Sequence, residues 1–299
     1  MVALQIPLGE LLISDGGLAT ELEARGHDLS DELWSARLLL DAPDEIRAVH
    51  AAYFRAGAVI ATSASYQASF DGFAARGIDR EEGARLLRRS VELAAAARDE
   101  MDDGRERWVA ASVGPYGAVL ADGSEYRGRY GLSIAELKRW HLPRLAVLAE
   151  SGVDVLALET IPDIDEAEAL AGLLDGSGVP AWLSYSIDGL HTRAGQPLRE
   201  AFAIAAEVAE IVAVGVNCCA PDDVAAAVAL AREVTGKPVI AYPNSGEGWD
   251  VERRCWVGES RFSAARVGEW VKLGASIVGG CCRVRPADIG RLAEVVAAG

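Results

Sequence analysis

The feature that most limits the fold is an alternation running the length of the chain. Eight short apolar runs rich in β-branched residues recur: Leu11–Ser14, Ala58–Thr62, Trp108–Val113, Val155–Leu158, Ala181–Ser186, Ile211–Val216, Pro238–Ala241 and Ser276–Val278. Between them, apolar residues fall at helical spacing in Asp44–Ala56, Arg80–Met101, Ser133–Glu150, Ile164–Leu174, Leu198–Val208, Ala220–Val234 and Ser263–Lys272. Strands that alternate with helices predict βαβ units and parallel pairing. Eight such units in 299 residues predict an α/β fold, a closed (β/α)8 barrel forming one domain over residues 1–299. An open doubly wound sheet is the alternative that the pattern allows. No Gly/Ser-rich linker or block of charge divides the chain.

Composition narrows the function classes. Half of the residues are hydrophobic (51%), enough for a sizeable core, and the formal net charge is −16. Clustered positive charge is what phosphate binding needs, so nucleic acid is a poor partner. Anionic membrane surfaces are disfavoured for the same reason. Residues 1–7 lack the basic region and apolar stretch of a signal peptide. No run approaches the roughly 18 apolar residues of a membrane span. The expected setting is a reducing cytoplasm, and the expected assembly a monomer or small homo-oligomer. There, five cysteines read as free thiols or metal ligands rather than disulfides.

In a barrel of this kind the active site forms where the strands end. The residues after the runs are therefore candidates: Asp15-Gly16-Gly17, Ser63 to Gln67 with Tyr66, Gly114 to Gly117, Glu159-Thr160, Asp188, Asn217-Cys218-Cys219, Tyr242-Pro243-Asn244 and Gly279-Gly280-Cys281-Cys282. The longest irregular stretches, 114–132 and 243–261, are expected to be enlarged loops at this rim. Four of the five cysteines end the sixth and eighth runs. Strands separated by one neighbour end about 10 Å apart. A Zn–S bond is about 2.3 Å, so one ion can bridge ends that curve inward. Gly279-Gly280 permits the sharp turn that lets adjacent thiols converge. Three thiolates and an open position make a catalytic zinc site rather than a structural one. Residue types alone leave open which of the four cysteines are ligands, and small buried core residues are the alternative. Asp15-Gly16-Gly17 fits either a tight turn capping a helix or a substrate contact. Glu159, after an apolar run, needs a partner, either a cationic ligand or a barrel arginine. The four histidines lack metal-ligand spacing and are expected to be structural.

Taken together, Asp15-Gly16-Gly17, Ser65-Tyr66-Gln67-Ala68, Glu159-Thr160, Gly215-Val216-Asn217-Cys218 and Gly279-Gly280-Cys281-Cys282 resemble the homocysteine S-methyltransferases, in order along essentially the whole chain. The stretches 112–118 and 120–128 look like the branch that uses S-methylmethionine or S-adenosylmethionine. The resemblance implies a barrel with zinc on three cysteines, Cys218, Cys281 and Cys282, leaving out Cys219. It also implies homocysteine contacts at Asp15, Gly16, Gly17 and Glu159, the last toward the substrate ammonium, with Asn217 nearby. The betaine-using relatives carry an arm beyond the barrel that this sequence lacks, so a sulfonium donor is expected. Zinc keeps a bound thiol deprotonated, and the thiolate is the nucleophile. Tyr66, Tyr116 and Trp249 are candidates, by position, to face the sulfonium. A selenohomocysteine or selenocysteine acceptor, or a zinc- or thiol-binding barrel without catalysis, are the competing expectations.

Overall fold

The computed structural model describes residues 6, 10–29, 34–250 and 255–298, apart from the side chains of 34–35, 248–250, 255–256 and 298. Eight strands form one parallel sheet: β1 (Leu12–Ile13), β2 (Ile60–Thr62), β3 (Trp108–Val113), β4 (Val155–Ile161), β5 (Ala181–Tyr185), β6 (Ile211–Asn217), β7 (Val239–Tyr242) and β8 (Ala275–Val278). The order is β1-β8-β7-β6-β5-β4-β3-β2. The circle is completed by a parallel bridge between Ser14 and Ile60. Asp15 N donates to Ile60 O at 3.0 Å and Val59 N to Ile13 O at 2.7 Å across that seam. The barrel expected from the alternation is therefore present, and the open sheet is not.

Eight outer helices follow the strands: α1 (Pro43–Ala56), α2 (Arg80–Asp99), α3 (Ile134–Ala149), α4 (Ile164–Leu174), α5 (Leu198–Ala206), α6 (Val224–Thr235), α7 (Ala264–Leu273) and α8 (Pro286–Ala298). Their ends follow local chemistry. Pro43 starts α1, and Gly57 ends it at φ 113°. Ser133 and Glu136 form a reciprocal capping box on α3. The loop 114–132 contains a short helix, Tyr116–Leu120, and a turn of 3-10 helix, Ser124–Tyr126. The loop after β7 carries the strands Gly248–Asp250 and Cys255–Val257, which pair antiparallel.

Side-chain alternation along the strands divides the core in two. Leu12, Ile60, Trp108, Ala110, Val155, Ala157, Trp182, Ala213, Ile240 and Ile277 fill the barrel interior. Leu156, Leu158, Leu183, Val214 and Val216 face the helix layer. The same parity sends Ser112, Glu159, Ser184 and Tyr242 inward near the C-terminal ends. That is how polar side chains come to cap an apolar barrel floor.

Candidate active site

Two residues break the alternation. Thr160 and Cys218 have φ of 60° and 50°, in the left-handed region that non-glycine residues seldom occupy. By parity Cys218 would face the helices and Cys219 the barrel. The left-handed step reverses this. Cys219 is buried in the strand–helix layer, while the Cys218 sulfur turns to the rim. There the Sγ atoms of Cys218, Cys281 and Cys282 all lie within 4.8 Å of one another. Cys218 Sγ and Cys282 Sγ are 3.8 Å apart.

Backbone contacts hold the two cysteine loops together. Cys281 N donates to Pro243 O at 2.8 Å, and Ser245 N to Cys282 O at 2.9 Å. Asn244 bridges them: its N donates to Cys219 O at 3.0 Å, and its Oδ1 accepts from Cys282 N at 3.1 Å. The glycines permit close approach. A Cβ on Gly279 would strike Ser14 Oγ and stand 2.8 Å from Asp15 O; one on Gly17 would stand 2.6 Å from Cys281 O. A Cβ on Gly16 would stand 2.5 Å from Val284 O. Gly16 and Gly17 thus serve as the seat for the Cys281-Cys282 loop.

Asp15 and Glu159 lie buried at the end of the barrel interior. Asp15 accepts from Thr62 N at 2.7 Å and Thr62 Oγ1 at 3.1 Å. Burial pushes its carboxyl up to about 8, with the charge of Glu159 adding to the rise and the Thr62 hydrogen bonds opposing it. Glu159 accepts from Ser112 Oγ, and from Tyr242 OH at 3.0 Å. Burial raises it to about 7; the two hydrogen bonds oppose, and the charge of Cys218 adds. Among the described residues, Glu159 is met by these two hydroxyls rather than by a barrel arginine, one of its two expected partners. Asn217 is fully buried, and its amide is spent on the protein. Its Oδ1 accepts from Thr160 N at 2.7 Å and Ser184 Oγ at 2.8 Å, while Nδ2 donates to Thr160 Oγ1 at 2.7 Å. It braces the left-handed turn that ends β4.

Two residues beside the sulfurs were not singled out by the sequence pattern. Tyr126 OH stands 3.2 Å from Cys218 Sγ, and the Arg193 guanidinium lies 5.9 Å from the Tyr126 ring centre. Hydrogen bonds from Cys281, Cys282 and Tyr126 hold the Cys218 thiol well below its usual range against the opposing effect of burial. The hydrogen bond with Cys218 pushes Cys281 and Cys282 up, and burial adds to it. The trio takes one negative charge readily and resists a second and third unless a cation arrives. Burial holds the Tyr66 hydroxyl well above its usual range, with the charges of Cys218, Glu125 and Glu159 adding. The Tyr116 ring packs on Tyr130 at 5.3 Å and Trp140 at 5.0 Å. The side chains of Trp249 and Cys255 lie outside the described residues. His50 and His141 are fully buried on α1 and α3, as expected of structural histidines.

A parallel barrel with converging thiols and buried carboxylates at the C-terminal rim is the framework of a barrel enzyme that handles a soft metal or a thiol. The comparisons say which. Residues 12–296 match the family model described as homocysteine S-methyltransferase. The homocysteine S-methyltransferase YbgG of Bacillus subtilis is 45% identical over 296 residues, covering 95% of this chain and 93% of its own. The selenocysteine Se-methyltransferase of Brassica oleracea is 46% identical over 303 residues, covering 94% and 87%. The crystal structure of the metallated homocysteine methyltransferase MmuM from Escherichia coli superposes with a TM-score of 0.86 at 44% identity, covering 95% of this chain and 96% of that one. The chain belongs to the homocysteine S-methyltransferase family, and is a methyltransferase acting on homocysteine. Among the described residues, no helix is long and apolar enough to cross a membrane.

Proposed function

We propose that Cys218, Cys281 and Cys282 hold one zinc ion, and that the methyl donor is a sulfonium, S-methylmethionine or S-adenosylmethionine. The observation that carries the metal is the sulfur cluster itself. Tetrahedral zinc with bonds of about 2.3 Å separates its sulfurs by about 3.8 Å, and Cys218 and Cys282 stand at 3.8 Å. Three soft donors suit zinc over hard cations, and the crystallised E. coli relative is a metallated form. When bound, zinc supplies a centre at which a thiol is held as the thiolate.

The protein's own residues do the rest. Asp15 and Glu159 are acids kept near neutrality by burial, and an arriving ammonium group favours their ionised forms. They are the proposed contacts for the homocysteine amino group, with Gly16 and Gly17 fixing the loop beside them. Asn217 positions Glu159 through Thr160. Tyr66 and Tyr126 flank the reacting sulfur. In the transfer, the homocysteine sulfur forms a new bond to the methyl carbon as the donor's carbon–sulfur bond breaks. The thiol proton is released, the donor leaves as a neutral thioether, and methionine is formed. A rim rich in buried acid favours a cationic donor over a polyanionic one.

The test is a donor panel. Purified protein is incubated with homocysteine and S-methylmethionine, S-adenosylmethionine, betaine or methyltetrahydrofolate, with methionine and bound zinc measured in the same samples. Methionine formed only from the sulfonium compounds, with one zinc per chain, is expected. Turnover from betaine or the folate alone would refute the donor assignment. Selenocysteine belongs in the panel as a second acceptor, because the Brassica oleracea relative is a selenocysteine Se-methyltransferase.

A further inference from the structure

The carboxylates at this rim differ in their partners. Asp15 is held by Thr62, and Glu159 by Ser112 and Tyr242. Glu125 is held less fully: its Oε2 is buried and accepts no hydrogen bond within the protein, while its own backbone N–H and the charge of Arg127 favour the ionised carboxylate. Glu125 sits in the 3-10 turn Ser124–Tyr126, on the rim loop after β3. The next residue, Tyr126, puts its hydroxyl 3.2 Å from Cys218 Sγ. The turn is pressed onto the helix Tyr116–Leu120, where a Cβ on Gly117 would stand 2.6 Å from Glu125 N. Glu125 is therefore seated by backbone contacts rather than by its own side chain.

We propose that Glu125 is the donor-binding carboxylate, the counter-charge to the sulfonium, in a pocket whose aromatic faces are Tyr66 and Tyr126. This rests on the sulfonium reading above and deepens it. A carboxylate oxygen left buried without a partner is costly, and a ligand cation removes the cost. Burial raises the Glu125 carboxyl to about 7, with the charge of Cys218 adding to the rise and its own backbone N–H and Arg127 opposing it. Tyr66 senses both Cys218 and Glu125. Tyrosine faces attract the diffuse charge of a sulfonium. With Asp15 and Glu159 assigned to the homocysteine ammonium, Glu125, whose buried oxygen meets no donor, is assigned to the second cation.

The chemistry gives this role a kinetic signature. During transfer the positive charge on the donor sulfur disappears as the thioether forms. An anion beside that sulfur binds the ground state more tightly than the transition state. Glu125→Gln should therefore raise the donor KM and leave kcat within about threefold or slightly higher. The loss in donor affinity should be about 10- to 100-fold. Equilibrium binding of S-methylmethionine without acceptor, followed by calorimetry, should weaken by the same factor. The homocysteine KM and zinc content should hold, which also shows that the variant is folded. Glu125→Asp should recover part of the donor affinity.

Unchanged donor KM and binding in Glu125→Gln would overturn the assignment. A rise in the homocysteine KM instead would move Glu125 to the ammonium of the acceptor, and would also overturn it. If the wild-type protein makes no methionine from either sulfonium, the donor reading fails. The binding arm still judges Glu125 then: S-methylmethionine bound by wild type and released by Glu125→Gln supports the pocket, and no binding to wild type overturns it.

Discussion

At the scale of single residues, the adjacent thiols Cys218 and Cys219 do opposite things. One points to the rim and the other into the strand–helix layer, because Cys218 takes a left-handed backbone step. Their variants should separate accordingly. Cys218→Ser is expected to lower zinc occupancy at least about tenfold and activity by about 100-fold or more, since the remaining two thiols make an incomplete site. Cys219→Ala should keep zinc and activity and lose about 1 kcal/mol of stability through the small cavity it leaves. Zinc per chain and urea unfolding on the same preparations decide it. Equal zinc loss in both would mean that the left-handed turn does not select between them.

At the scale of elements, the site depends on how closely β6 and β7 approach. Gly215 pairs with Ile240, and a Cβ at 215 would collide with the Ile240 carbonyl. Gly215→Ala should cost about 3 kcal/mol or more, because backbone rather than a flexible side chain must move. It should lower zinc affinity as well, since Cys218 follows three residues later. A urea midpoint within error of wild type would contradict the packing. The strands themselves were legible in sequence because burial on both faces makes each a continuous apolar run. Most strand ends differ from the pattern by a residue or more; β4 runs to Ile161, β6 to Asn217 and β7 to Tyr242, so Glu159, Asn217 and Tyr242 lie inside strands rather than after them. Polar inward positions hide such ends. Convergence of Cys218 with Cys281 and Cys282 was legible from strand order plus resemblance. The seats of Tyr126, Arg193 and Asn244 were not, because they depend on loop paths that no periodicity encodes. Asn217, expected near the substrate, holds Thr160 and Ser184 through its amide.

At the scale of the whole molecule, the rim acids and the core histidines make stability depend on pH in opposite directions. Burial lowers His50 and His141 to about 4. Between about pH 4 and 6.5 the unfolded chain binds these protons and the folded chain does not, so stability rises with pH. Asp15 at about 8 and Glu159 at about 7 work the other way. Their folded forms keep protons that the unfolded chain releases near pH 4, so that contribution shrinks from about pH 4 upward and is gone once pH has passed 7 for Glu159 and 8 for Asp15. The two pairs nearly cancel between about pH 4 and 6.5, so metal-free protein should lose stability mainly above pH 6.5, on the order of 1 kcal/mol per pH unit up to pH 8. Asp15→Asn should flatten the alkaline fall; urea unfolding across pH after chelation checks it. The inward chain of hydroxyls has a further consequence, an optical one. Trp182 Nε1 donates to Tyr242 OH at 3.0 Å, and that hydroxyl donates to Glu159 Oε2 at 3.0 Å. An indole shielded from water is thus wired, through one phenol, to the carboxylate proposed to greet the acceptor. Homocysteine binding should shift the emission of Trp182, and Trp182→Phe should remove that part of the difference signal. The barrel carries a fluorophore in its floor that reads out occupancy of the rim without any label.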